Sequence, residues 1–208
     1  GTSLLSTYLR WRFIHPAQLI DECGDSPGAE AYVRELCWRE FYADVLYHHP
    51  RSAWENLDQR YDRMQLDTDQ AAVGRFEAWK VGRTGFPIVD AGMRQLIATG
   101  WMHNRVRMIT ASFLVKDLHL PWQWGAKHFM DLLVDGDLAS NNHGWQWTAG
   151  SGTDAAPYHR IYNPTLQAER FDPEGVYQAQ WIAEWPLVAP RIVDHGVERA
   201  EALRRRAA

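Results

Sequence analysis

Apolar residues in the stretch Glu30–His49 (EAYVRELCWREFYADVLYHH) recur at steps of three and four. Val33, Leu36, Cys37, Phe41, Val45 and Leu46 then share one stripe of an α-helix. Pro50 ends that helix, because the residue before a proline is pushed out of helical backbone. The same reading gives a helix over Phe86–Gly100, which Pro87 starts and Gly100 stops. Two more follow over His103–His119 and Trp122–Val134. No run of alternating apolar and polar residues is long enough to argue a sheet. The expectation is an all-α, multi-helical fold.

Asp135–Pro164 breaks the pattern. It is rich in Gly, Asn, Asp, Ser and Thr, with Trp145, Trp147 and Tyr158 set among them. A long irregular stretch inside a helical domain is uncommon and is usually functional. Beyond it, Phe171–Trp185 and Pro190–Arg206 read as closing helices. The Arg204-Arg205-Arg206 run reads as a solvated helix end that suits the negative dipole there. His48-His49 reads as a helix-end cap.

With 208 residues the chain can bury one sizeable core, and one domain is expected over 1–208. No apolar stretch is long enough to span a membrane, and the start does not resemble a signal peptide. Cys23 and Cys37 have neither redox nor zinc spacing, so both are expected as reduced thiols of a cytoplasmic protein, Cys37 packing rather than reacting. The net charge of −4 argues only weakly against nucleic acid, since binding depends on the charge of one face.

Several chemistries drop out. Asp135-Gly136-Asp137 opens like a calcium loop, but Ala139 and Ser140 stand where an Asx and a Gly are needed. Gly150-x-Gly152-x-x-Ala155 matches a dinucleotide fingerprint only formally, with no strand before it and no helix after it. There is no Walker A sequence and no H-E-x-x-H, and no metal site is expected. What stands out is 11 Trp and an arginine excess: of 22 basic residues only Lys80, Lys116 and Lys127 are lysines. Arginine grips phosphates and carboxylates as a rigid fork, and tryptophan stacks and conducts electrons.

From Trp79 the chain reads WKVGRTGFPIVDAGMRQLIATGWMHNRVRMITASFLVKDL, then WQWGAKHFMDLLVDGDLASNNHGWQWTAGSGTDAAPYHRIYNP. Together with Thr2–Ser6 and Glu35–Tyr42 (ELCWREFY), these segments closely resemble the flavin domain of the photolyase/cryptochrome family, and they cover most of the chain. The resemblance implies FAD, active when reduced. Thr2, Ser3, Leu5 and Ser6 would cradle its diphosphate at the start of the first helix. Arg107 and Asp135 would form an ion pair beside the flavin ring, with Asp137 and Gly136 next to it and Trp101 and Asn104 lining the pocket. Asn141 would face flavin N5, where plant-type cryptochromes carry Asp and animal ones tend toward Cys.

The resemblance further implies light-driven repair of cyclobutane pyrimidine dimers in DNA, as in class I photolyases. Trp38 and Trp147 would flank a flipped-out dimer, with Glu35, Asn104, Arg105 and Met108 contacting it. Each aromatic stack can return roughly 1–3 kcal/mol toward the cost of flipping. Asn104 after His103, rather than a second His, favours cyclobutane dimers over six-four lesions. Trp145 and Trp122 match the proximal and middle members of the family's photoreduction chain. No Trp stands in Met64–Val73, where the distal member belongs, so hopping would stop at Trp122 or use Tyr61.

The chain departs from the family in other ways. The preceding α/β domain, which would hold the antenna pigment, is expected to be absent. The stretch between Trp185 and Pro190 is short. Leu4 replaces a common Arg and His143 a common Gly. Two rival readings stay open. One is a cryptochrome-like light sensor, against which Asn141, Trp38 and Trp147 speak. The other is a module that binds FAD or DNA without repair. An iron–sulfur relative is disfavoured, because two cysteines cannot supply four thiolates. A monomer is expected on resemblance alone.

Overall fold

A computed structural model of the chain describes residues 2–153, 161–187 and 189–207. Among these there are helices and no strands. The order is α1 Ser6–Arg10, α2 Pro16–Glu22, α3 Pro27–His48, α4 Gln70–Lys80, α5 Pro87–Thr99, α6 Asn104–Ser112, α7 Trp122–Leu132, α8 Leu138–Ala149, α9 Pro164–Phe171, α10 Val176–Trp181 and α11 His195–Ala207. Short 3₁₀ turns at Pro50–Ala53 and Gln59–Arg63 join α3 to α4. A π-helical turn, Phe113–Asp117, extends α6. No described helix is long and apolar enough to cross a membrane.

Local chemistry sets most boundaries. Helix α3 starts three residues before Glu30 because Pro27 takes the first position and the Ser26 hydroxyl accepts from Ala29 N. Gly100 closes α5 at φ 66°, a left-handed conformation that glycine adopts without strain. The Asp90 carboxylate accepts from Thr84 N, Thr84 Oγ1 and Gly85 N and so ties the α5 entry loop to its first turn.

The core lies between α5, α6 and α7, with α8 against α7. Trp79, Phe86, Met93, Leu96, Met102, Phe113 and Leu114 are sealed from solvent there. Helix α3 contributes less than its stripe promised: Leu36 and Val45 are buried, but Cys37 and Phe41 are exposed.

Three further expectations are corrected. Asp135–Pro164 is not irregular throughout, since α8 occupies Leu138–Ala149 with Asp137 as its N-cap. Ala155 and Tyr158 fall outside the described residues. The helix expected over Phe171–Trp185 is only α10, Val176–Trp181, because a separate helix, α9, ends at Phe171. Asn163 and Pro164 start α9, Gly175 at φ 68° separates the two, and Asp172 caps α10 by accepting from Tyr177 N and Gln178 N. The arginine run does end α11, but it is not simply solvated. Arg205 pairs with Asp67 and Glu201, and Arg206 lies over the Tyr61 ring. His48 and His49 do sit at the end of α3.

Candidate functional site

A cavity of about 510 Å³ opens between α3, α6, α7 and α8, a size typical of small-molecule sites. Helix α3 presents Glu35, Trp38, Arg39 and Tyr42 to it. From α6 come Asn104, Arg105, Arg107 and Met108, and from α7 and its exit Phe129 and Leu133. The loop Asp135, Gly136 and Asp137 follows, and α8 completes the wall with Ser140, Asn141, Gly144, Trp145, Trp147 and Thr148. Positions 141, 145 and 148 are spaced to share one helix face, with 140, 144 and 147 beside them.

The charges in the cavity are fixed. Both Asp135 oxygens accept from Arg107 Nη2, at 3.1 and 2.8 Å, and Arg107 Nε donates to the Met102 carbonyl at 2.7 Å. The Asp135 side chain is 3% exposed and that of Arg107 26%. A guanidinium held at both ends presents its remaining edge in one orientation. At the entry to α6, burial lowers the His103 pKa, with Arg105 and Arg107 adding to the shift.

Asn141 spends its amide hydrogens on the Ala126 carbonyl at 3.0 Å and on Asn142 Oδ1 at 2.8 Å. Its Oδ1 is therefore left to accept. Trp145 is almost fully buried against Phe129, 5.0 Å away edge to face, and Trp79 at 6.1 Å.

Of the residues singled out from the sequence, Glu35, Trp38, Asn104, Arg105, Arg107, Met108, Asp135, Gly136, Asp137, Asn141, Trp145 and Trp147 all line this one cavity. Thr2, Ser3, Leu5, Ser6, Trp101 and Trp122 do not. Trp101 and Ser6 meet beside the segment that reaches the cavity's acidic loop. Trp101 Nε1 is 3.4 Å from Ser6 Oγ, Arg10 donates to the Gly136 carbonyl, and Trp11 Nε1 donates to the Val134 carbonyl at 2.9 Å. The N-terminal segment thus docks on the loop that carries Asp135. Helix α1 has only five residues, and its N-cap, Leu5, supplies no side-chain cap, so the dipole argument for the diphosphate loses force.

Trp122 is buried and donates to Asn56 Oδ1 at 2.9 Å. Tyr61, the alternative to the missing distal Trp, accepts from Arg206 Nη2 through its hydroxyl at 2.5 Å. Arg39 and Tyr42 were missed, although each follows Glu35 or Trp38 by one helical turn. Ser140 and Thr148 were missed because α8 was not read as a helix. Among the described residues no cluster of His, Cys, Asp and Glu could hold a metal ion.

Fold and cavity together define an all-helical domain with a ligand-sized cavity beside a fixed Arg–Asp pair. Residues 32–207 match the family described as the FAD binding domain of DNA photolyase, and the chain belongs to that family. It is 47% identical over 207 residues to a deoxyribodipyrimidine photo-lyase of Escherichia coli, covering 93% of this chain and 42% of that one. It superposes on a bacterial class III photolyase from Agrobacterium tumefaciens with a TM-score of 0.90 and 40% identity, covering 99% of this chain and 49% of the other. A Synechocystis cryptochrome matches with a TM-score of 0.88 and 29% identity over 98% of this chain and 48% of its own. The chain spans about half the length of these relatives.

The family's cofactor is FAD, and the cavity fits its ring. It offers a buried carboxylate holding a guanidinium, an amide oxygen free to accept, and an aromatic wall at Trp145 and Phe129.

Proposed function

We propose that this domain carries out the flavin chemistry of a photolyase that repairs cyclobutane pyrimidine dimers in DNA. The observation that carries the reading is the convergence on one cavity of two residue sets. Trp38, Trp147, Glu35, Arg105 and Met108 suit a base pair, while Arg107, Asp135 and Asn141 suit a flavin, and Asn104 serves either. Reduced FAD, when bound and excited by blue light, supplies the electron that opens the dimer.

The chain's own residues orient and insulate that exchange. Arg107, locked by Asp135 and the Met102 carbonyl, offers positive charge beside an anionic ring. Asn141 Oδ1 accepts a proton-bearing nitrogen without carrying charge. Trp38 is 46% exposed and Trp147 half-buried, as aromatic faces meant for incoming bases should be. Glu35 and Arg105 supply an acceptor and a donor for base edges.

The test is repair of an oligonucleotide carrying one thymine dimer, under blue light, with chemically reduced flavin and the whole 208-residue chain. Light-dependent restoration of the thymines is expected. Dimer binding without restoration would identify a binding module instead. Flavin photochemistry with no preference for the dimer would favour a light sensor like the cryptochrome it resembles.

A further inference from the structure

Three rings form a column from the mouth of the cavity into the interior. Trp38 stacks on Tyr42, with centroids 5.9 Å apart and planes at 28°. Tyr42 in turn lies on the imidazole of His143 at 5.5 Å and 6°. Trp38 and Tyr42 are one turn apart on α3, whereas His143 comes from α8. Phe41 braces the upper two rings from the side, at 5.5 Å from each.

The floor of this column is pinned. His143 is 1% exposed, the most enclosed histidine of the chain's described residues. Its Nδ1 lies 2.7 Å from the Ala139 carbonyl, and its Nε2 lies 2.8 Å from Ser52 Oγ. A carbonyl can only accept, so Nδ1 carries the hydrogen and Nε2 faces the Ser52 hydroxyl. That hydroxyl also lies 2.6 Å from the His49 carbonyl, so its single proton serves one of the two at a time. Burial holds the pKa of His143 below the ordinary histidine value, which keeps the ring neutral.

A ring held at both nitrogens has one plane. Tyr42 follows that plane to within 6°, and Trp38 follows Tyr42. The orientation of the exposed indole is therefore referred back to a buried side chain on another helix.

We propose that His143 is a positioning residue for lesion recognition: through Tyr42 it sets the height and tilt of the Trp38 face that receives the flipped pyrimidine pair. The proposal rests on the reading of Trp38 given above. It makes His143 a determinant of discrimination between damaged and undamaged DNA, with no direct contact to either.

The experiment measures fluorescence anisotropy of a labelled duplex with one thymine dimer and of the same duplex undamaged. The 208-residue chain is compared with His143→Ala and His143→Gln, each alone and combined with Trp38→Ala. The glutamine variant keeps hydrogen-bonding groups but removes the ring, and it serves as the better-folding partner should the alanine variant melt without cooperativity.

Both variants should lose about fivefold in dimer affinity, the worth of one aromatic pair. Affinity for undamaged DNA should stay within about twofold, and neither variant should lose anything further once Trp38 is gone. Equal loss for both duplexes, additive loss with Trp38→Ala, or wild-type discrimination by His143→Gln would each overturn the proposal. A wild-type chain with no preference for the dimer would sink the reading of Trp38 itself, and the column with it. A preference that survives removal of the ring would sink the column alone.

Discussion

Helices α7 and α8 approach so closely at Gly125 that the residue has no room for a side chain. A Cβ built there would lie 2.2 Å from Trp145 Cη2, 2.5 Å from Cζ3 and 2.7 Å from Cζ2. Gly125→Ala therefore forces the indole to retreat by roughly 1 Å, or the two helices to part. Trp145 is 3% exposed, with Phe129 and Trp79 against it, so the open direction is the cavity. Overpacking of this kind costs about 1–3 kcal/mol, and alanine in place of a mid-helix glycine returns about 1 kcal/mol. The expected net loss is about 1 kcal/mol, or about 3 °C in Tm for a chain of this size. The sharper readout is a double-mutant cycle with Trp145→Phe, which removes the far ring of the indole. In that background Gly125→Ala should stabilise, giving a coupling energy of at least about 1 kcal/mol. Calorimetry gives the stabilities, and flavin fluorescence reports the displaced indole. Additive effects, or a Gly125→Ala variant as stable as wild type with an unchanged flavin signal, would refute the packing argument.

Other perturbations test the remaining supports. Arg107→Gln leaves the Asp135 carboxylate buried without its countercharge. Such losses reach about 3–5 kcal/mol for a sealed pair; with Arg107 partly exposed, about 2 kcal/mol is expected in urea unfolding, together with weaker flavin retention. A variant of wild-type stability would show the pair to be dispensable. Asp90→Ala strands Thr84 N, Thr84 Oγ1 and Gly85 N and should cost about 2–4 kcal/mol; a loss under about 0.5 kcal/mol in the same assay would mean water replaces the carboxylate. Acid should destabilise the domain, because burial lowers the pKa of His128 and His143. The unfolded chain then binds more protons, so stability is fully present above about pH 6.5 and falls as pH drops below it. Burial raises the Asp90 and Asp117 pKa values, which acts in the opposite sense. Tm should fall from pH 7.5 to 5.5, and less steeply in His128→Leu, whose Nε2 is buried without a partner in the wild type. A Tm that is flat across this interval would contradict the assignment.

How much of this was legible in the residues depends on what each helix buries. Helices α5 and α7 bury apolar side chains on one face, and their starts carry Pro87 and Pro121, so their extents were readable to within two residues. Helix α4 was not identified, although Asp69 caps it by accepting from Ala72 N; its buried face holds only Ala72 and Trp79. The site residues could be named by resemblance long before their convergence could be shown. Glu35 and Asn141 stand more than 100 positions apart, and only the packing of α3 on α8 brings them to one cavity. The ring column was out of reach as well, because nothing in the spacing of Tyr42 and His143 announces a parallel stack.

Helix α8 shows why the chemically richest segment was also the least readable. Its inward side is buried through hydrogen bonds rather than apolar contact. Gln146 Nε2 donates to the Ser52 carbonyl at 2.7 Å, its Oε1 accepts from Leu57 N at 2.8 Å, Asn142 donates to the Ala53 carbonyl, and His143 meets Ser52 Oγ. Polar groups buried in this way must be paired to be tolerated, and the pairings fix the helix against the 3₁₀ turn after α3 and the loop that follows it. The opposite side carries Asn141, Trp145 and Thr148 into the cavity. A helix located by directional bonds on one side can hold its other side to tighter geometry than a greasy stripe would allow. The loss of an apolar period is thus a consequence of what α8 is built to do, and the same bracing joins its cavity-lining residues to the α3 tryptophan at the cavity mouth.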